Sequence, residues 1–279
     1  MPELPEVETI KESMRKTLVG AQIESVVIRN RRLRLPVPDT FEETVSGARI
    51  VKLYRIAKYA VMELDNGCSI IWHFGMSGKI RIEHNANPIL QKHDHVVIYT
   101  DVASLIYNDP RRFGVVTVCN SDNISADPLI CHLGLDPFDA NLTPAYLKNK
   151  LGGRRIPIKV ALLDQTIISG IGNIYASEAL YFARISPLRE SDKVSLKELT
   201  RLIKSVREVL TKAINAGGST LHDYRKPDGN IGYFQFQHAV YGKDGQKCPC
   251  CVFPDRPCKG IRKSVQGGRS TYYCPHLQK

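Results

Sequence analysis

No run of about eighteen apolar residues occurs among the 279 residues, and that absence excludes a membrane-spanning helix. The N-terminus, MPELPEVETI, is acidic and lacks both an apolar core and an arginine-rich face, so neither a secretory signal nor a transit peptide is expected. Internal repeats and low-complexity tracts are also missing, which argues against a solenoid or a disordered tail. What is present suits a folded chain large enough for one big domain or two modest ones, with 43% hydrophobic and 24% charged residues.

Acidic residues are the scarcer charge. Asp and Glu number 28 against 39 Lys and Arg, leaving a net charge of +11. Such an excess favours a polyanionic partner, usually nucleic acid; a basic enzyme without one is the alternative that charge alone leaves open. The eight cysteines are unevenly spread. Cys68, Cys119 and Cys131 are isolated, whereas Cys248, Cys250, Cys251, Cys258 and Cys274 crowd the end. Without an export signal, that crowding favours zinc over a disulfide framework.

Val7, Ile10, Met14 and Leu18 recur at helical spacing, and Gly20 ends the pattern. Residues 21–118 hold short β-rich runs (IESVVIRN, SIIWHF, HVVIYT, FGVVTV) separated by turn signals, which predict a mostly antiparallel sandwich or barrel. Gly and Pro break residues 133–157. A helix follows over 195–216, with Leu199, Leu202, Val206, Val209 and Ala213 on one face and Gly217-Gly218 as its stop. The tail from 240 on is a small basic module.

The first residues carry a chemical possibility. Removal of Met1, which a small second residue favours, exposes a secondary amine at Pro2. An α-amine titrates near pH 8, so roughly 10–30% is neutral and nucleophilic at neutral pH, against well under 1% of an ordinary lysine. Its attack on a sugar carbon gives an iminium ion, an electron sink that eases elimination of neighbouring C–O bonds. Glu3 is placed to give or take a proton. Taken alone, MPELPE reads more simply as a proline-rich segment or a helix start.

Seven motifs, in order, shift that balance: PELPEVE, KYAVMEL, HFGMSG, KHDHV, YNDPRRFG, GIGNIYASEAL and GRSTYYC. Together they resemble the formamidopyrimidine-DNA glycosylase family of base-excision enzymes over roughly residues 2–276. The resemblance implies an α+β fold of two domains: an N-terminal β-sandwich flanked by helices, and a C-terminal helical domain with a helix–two-turn–helix and a β-hairpin zinc finger, duplex DNA binding between them. The expected divisions are 1–134 for the catalytic sandwich, 135–150 for a linker, 151–238 for the helical domain with a lesion-covering loop, and 239–279 for the finger.

The resemblance also implies roles. Pro2 is the nucleophile and Glu3 the proton donor. Lys58, within a strand-like run, and Arg269, in a Gly-rich hairpin, grip phosphate and assist elimination. Met76, Arg111 and Phe113 fill the void left by the extruded nucleotide, the arginine reading the orphaned cytosine. His73 and His93 contact the DNA backbone, although His93 beside Asp94 and His95 could also suggest a metal site. Asn173 meets a phosphate at a helix N-terminus, with Arg154 and Lys159 as further phosphate contacts. Glu6 and Ser219 border the lesion pocket.

One departure stands out. The family's finger ends in a Cys-x-x-Cys pair, yet Leu277 occupies the last cysteine's place in Cys274-Pro275-His276-Leu277. Cys248, Cys251, Cys258, Cys274 and His276 are therefore the candidates for one structural zinc ion, four at most; a Cys₃His set with Cys251 or Cys258 is one arrangement, and a metal-free hairpin is the alternative. The function so implied is excision of oxidised purines (8-oxoguanine, formamidopyrimidines) from duplex DNA, with strand nicking by β,δ-elimination, in a monomeric, cytoplasmic, nucleoid-associated enzyme. Two other readings remain: an endonuclease VIII-like enzyme for oxidised pyrimidines, which PELPE and DPRRFG disfavour, and a catalytically silent DNA-binding protein.

Overall fold

The computed structural model of the protein describes residues 1–85, 87–219, 232–251 and 258–279. The chain divides into two compact units, Met1–Cys131 with Ile214–Gln235, and His132–Ala213 with Phe236–Lys279.

The first unit opens with α1 (Leu4–Leu18), which buries Leu4, Val7, Ile10, Met14 and Leu18 along one stripe and ends before Gly20, at φ +92°. Then come β1 (Ile23–Ile28), α2 (Phe41–Val45), β2 (Ile50–Ile56), β3 (Tyr59–Leu64), β4 (Cys68–His73), β5 (Lys79–Glu83), β6 (Asp94–Thr100), β7 (Ser104–Asn108) and β8 (Val115–Asn120). They form two four-stranded sheets, in the orders β1-β6-β7-β5 and β2-β3-β4-β8. Every pairing is antiparallel. Ile70, Trp72, Val96, Ile98, Leu105, Tyr107 and Val116 join the apolar face of α1 in one core. This is the expected sandwich, and its strands are the runs that alternate or stay apolar in the sequence.

The second unit contains α3 (Pro144–Leu151), α4 (Ile158–Leu162), α5 (Asn173–Phe182), α6 (Leu196–Asn215, whose last two residues belong to the first unit) and a hairpin of β9 (Arg262–Gln266) and β10 (Arg269–Tyr273). Two expected divisions change. The stretch 135–150 is no linker, because it belongs to the second unit and forms most of α3 behind the Thr143 cap. Residues 214–235 return to the first unit, although their sequence neighbours belong to the second. The expected covering loop falls chiefly on 220–231, outside the described residues.

Candidate functional site

The first unit gathers its candidate residues at the start of α1 and at one end of the β2-β3-β4-β8 sheet. Pro2 and Glu3 are buried just ahead of α1. Glu6, one turn in, closes that start: its Oε2 accepts the Glu3 backbone N–H at 2.8 Å, and its Oε1 accepts the Ser219 N–H at 2.8 Å. One carboxylate thus ties the helix N-terminus to the segment entering 220–231. Gly218 is required there, since at φ +79° an added Cβ would lie 2.9 Å from Glu6 Oε1.

Lys58 is not in a strand. Ile56 pairs with Tyr59, so Ala57 and Lys58 are the two-residue turn joining β2 to β3, with Ala57 left-handed at φ +52°. The ammonium-bearing residue is nonetheless buried. The turn is anchored by Arg55, which donates to the Ala57 carbonyl at 3.0 Å and to Glu8 of α1 at 2.8 Å.

His73 stands across the ladder from Tyr59, their rings 5.0 Å apart. Burial, assisted by the positive charges of Arg34 and Lys58, pushes its imidazole down to about 4, so it is neutral at pH 7. Nδ1 accepts the Gly75 N–H at 3.2 Å, which leaves the proton on Nε2, free to donate.

The HFGMSG and DPRRFG loops are built against each other. Buried Asp109 accepts from the Ser77 hydroxyl at 2.5 Å, the Tyr107 hydroxyl at 3.1 Å and the Gly114 N–H at 2.9 Å. An added Cβ at Gly75 would meet the Phe113 backbone at 2.4 Å. That framework holds out Met76 and Phe113, 40% and 47% exposed, with the Arg111 guanidinium 4.9 Å from the Phe113 ring centroid. At that exposure neither side chain is part of the sandwich core. His93 lines a cavity of about 380 Å³ with Arg29, Lys92, His95 and Arg112. It is not a metal site: Asp94 is engaged by Arg81, the Gln91 N–H and Asn108, and His95 bonds the Asp109 carbonyl.

In the second unit, α5 begins at Asn173 behind Gly172, which has no side chain to cap the helix. The preceding turns are pinned by Gln165, bonded to the Leu163 and Ile171 carbonyls and the Gly170 N–H. Arg154 pairs with Asp164 at 3.1 Å and remains partly exposed. Lys159 is corrected: it is fully buried, so it has no surface for a phosphate. Its ammonium donates to Asn173 Oδ1 at 2.5 Å, the Ser270 carbonyl at 3.0 Å and Thr271 Oγ1 at 2.8 Å. Asn173 Nδ2 in turn donates to the Ser270 carbonyl at 3.0 Å, so both bind the residue after Arg269. Arg269 opens β10 beside the Gly267-Gly268 turn and is exposed.

The sulfurs of Cys248, Cys251, Cys258 and Cys274 lie within 4.8 Å of one another. Two of their separations, 3.6 Å (Cys251–Cys274) and 3.4 Å (Cys258–Cys274), approach the roughly 3.8 Å edge of a tetrahedron with 2.3 Å Zn–S bonds. They could hold a zinc ion, and His276 is corrected out of the set, since it has no place in the cluster. Cys250 is exposed and outside it as well.

Sequence reasoning missed Asp109, Ser77, Gly218 and Glu178. For Glu178 a signal existed: it is the sole acid in NIYASEALYF. Its buried carboxylate accepts the N–H groups of Ala239, Val240 and Tyr241 at 2.7, 2.9 and 2.8 Å, and burial raises its pKa although these bonds oppose the rise.

Comparison with known proteins gives consistent matches. Residues 1–116 match the formamidopyrimidine-DNA glycosylase N-terminal domain, and residues 133–225 match the H2TH domain of the same proteins. Curated relatives named formamidopyrimidine-DNA glycosylase include those of Rhizorhabdus wittichii, 44% identical, and Dinoroseobacter shibae, 43% identical, each over the full length of both chains. Among solved structures, a Lactococcus lactis FPG variant complexed with a Fapy-dG containing DNA superposes with a TM-score of 0.90 at 32% identity, covering all of both chains. The MutM (FPG) protein of Thermus thermophilus gives a TM-score of 0.86 at 36% identity, covering 99% of this chain and 98% of that one.

Proposed function

The chain belongs to the formamidopyrimidine-DNA glycosylase family, and from that membership we infer that it is a base-excision-repair glycosylase and AP lyase acting on oxidised purines in duplex DNA. The observation that carries the chemistry is the buried start of α1, where Pro2 and Glu3 precede a carboxylate that fixes the Glu3 backbone. With Met1 removed, the Pro2 nitrogen attacks C1′ of the extruded nucleotide. The base leaves with the bonding electrons and takes up a proton, and the sugar stays linked to Pro2 as an iminium ion. Glu3 protonates the opening sugar oxygen. Loss of a proton from C2′ expels the 3′ phosphate, a second elimination expels the 5′ phosphate, and water then releases the sugar fragment from Pro2.

Lys58 and Arg269 stabilise the departing phosphates by charge, the arginine with two-pronged geometry. His73 meets the backbone as a neutral Nε2–H donor, and His93 shares a basic depression suited to a phosphate. Met76 and Phe113 recover part of the few kcal/mol lost on unstacking, with Arg111 facing the vacated base's partner. Asn173 offers its helix N-terminus to phosphate, with Arg154 at the rim, and Glu6 and Ser219 border the base pocket. Cys248, Cys251, Cys258 and Cys274 would hold a zinc ion that would supply no chemistry to the reaction and would stabilise the hairpin carrying Arg269. No described helix is long and apolar enough to cross a membrane. A DNA-repair role favours work in the cytoplasm at the nucleoid.

Borohydride trapping on an 8-oxoguanine duplex tests this. Processed wild type gives a covalent adduct, Pro2→Gly gives much less, and Glu3→Gln loses base excision. Absence of an adduct from protein lacking Met1 overturns the lyase mechanism. A thymine glycol duplex in parallel should be the poorer substrate; the reverse order favours the pyrimidine-directed reading.

A further inference from the structure

We propose that Cys258 supplies the fourth zinc thiolate that the hairpin's second knuckle lacks, and that position 277 is an equivalent ligand position, so that a cysteine at either place completes the site. The tail holds two turns of the same form, Cys248-Pro249-Cys250-Cys251 and Cys274-Pro275-His276-Leu277. In the first, the Cys251 N–H donates to the Cys248 carbonyl at 3.3 Å, and both thiols join the cluster. In the second, the Leu277 N–H donates to Cys274 Sγ at 3.4 Å, and the His276 N–H bonds the same sulfur. The second turn therefore has a knuckle's backbone with a leucine where the second ligand would sit, and Leu277 packs against the thiol cluster.

The turn keeps this form without a ligand of its own at 277 because the tail is held otherwise. Buried Gln278 accepts the Cys274 N–H at 2.8 Å and donates to the Ile185 carbonyl at 2.9 Å, and the Lys279 carbonyl accepts the Ser186 N–H at 2.8 Å. Cys258 reaches the cluster from outside either turn, its sulfur 3.4 Å from that of Cys274. Three thiols alone leave zinc's fourth position open, as in catalytic rather than structural sites.

The inference rests on the zinc reading of the cluster and not on excision, so its readout is metal. After dialysis against a weak chelator, the full-length protein should retain about one zinc per chain. Cys258→Ser should fall below about a fifth of that, Cys258→Ser with Leu277→Cys should return to about one, and Cys250→Ser should stay at one. Full zinc in Cys258→Ser overturns the ligand assignment, and a double variant as empty as the single one overturns the equivalence of position 277. If Cys258→Ser does not fold, alkylation of the wild-type protein decides. Cys250 should react quickly and Cys258 only after zinc is stripped; equal rates before stripping overturn the proposal.

Discussion

A lysine shut away from water needs an acceptor for each of its three N–H groups, and Lys159 has Asn173, Ser270 and Thr271. What it does in the fold is therefore to hold other groups. By taking Asn173 Oδ1 it turns Nδ2 toward Ser270, and by holding Ser270 and Thr271 it fixes the strand that Arg269 begins. Lys159→Met keeps most of the volume but leaves those acceptors without their donor, which should lower stability by about 1–3 kcal/mol, read as a smaller urea midpoint. Binding to an undamaged duplex should weaken with the slope of log K against log salt unchanged, because no phosphate contact is lost. Arg269→Ala should reduce that slope by about one. An equal reduction in Lys159→Met would restore it as a phosphate contact. Nothing in Ile158-Lys159-Val160 reveals the burial: a basic residue beside a DNA-binding turn reads as solvent-facing until its partners, two of them more than a hundred positions away, are known.

Between residue and domain, the informative units are loop pairs. HFGMSG and DPRRFG were legible as motifs, and Met76, Arg111 and Phe113 as candidate contacts, but the sequence did not reveal what holds them out. Gly75 and Gly114 are glycines because the facing chain leaves no room for a Cβ, and Asp109 draws donors from both loops. Asp109→Asn turns an acceptor of three hydrogen bonds into a group that must point N–H at some of its donors. It should cost about 2–3 kcal/mol and lower excision of 8-oxoguanine more than strand cleavage at an abasic site, where no base must be extruded. A urea curve and the two rates check this; equal loss on both substrates would mean that the loops do not serve extrusion. The hairpin turn at Lys58 was misread for a related reason. Arg55-Ile56-Ala57-Lys58-Tyr59 has no glycine or asparagine to mark the left-handed residue, and Ala57 is held there by Arg55 instead.

For the whole molecule, the sandwich and the helical half were legible because periodicity changes from two to 3.6 residues along the chain. The return of 214–235 to the first unit was not, since it depends on tertiary contacts such as Glu6 with Ser219, which leave no local pattern. Each unit also carries a histidine that burial holds neutral: His73 in the first, and His238 in the second, where burial and the charge of Lys243 push it down to about 4. On unfolding, each returns to about 6.5 and takes up a proton wherever the pH lies between the two values. The unfolded chain then binds more protons than the folded one, so stability is full above about pH 6.5 and falls as the pH drops toward 4. The slope is at most about 1.4 kcal/mol per pH unit for each histidine. Unfolding followed separately in each unit at pH 7, 6 and 5 should show this decline in both, and His73→Gln should flatten it in the first unit alone. A first unit as stable at pH 5 as at pH 7 would mean that His73 is charged in the folded protein, and its proposed contact with DNA would then be an ion pair rather than a neutral hydrogen bond.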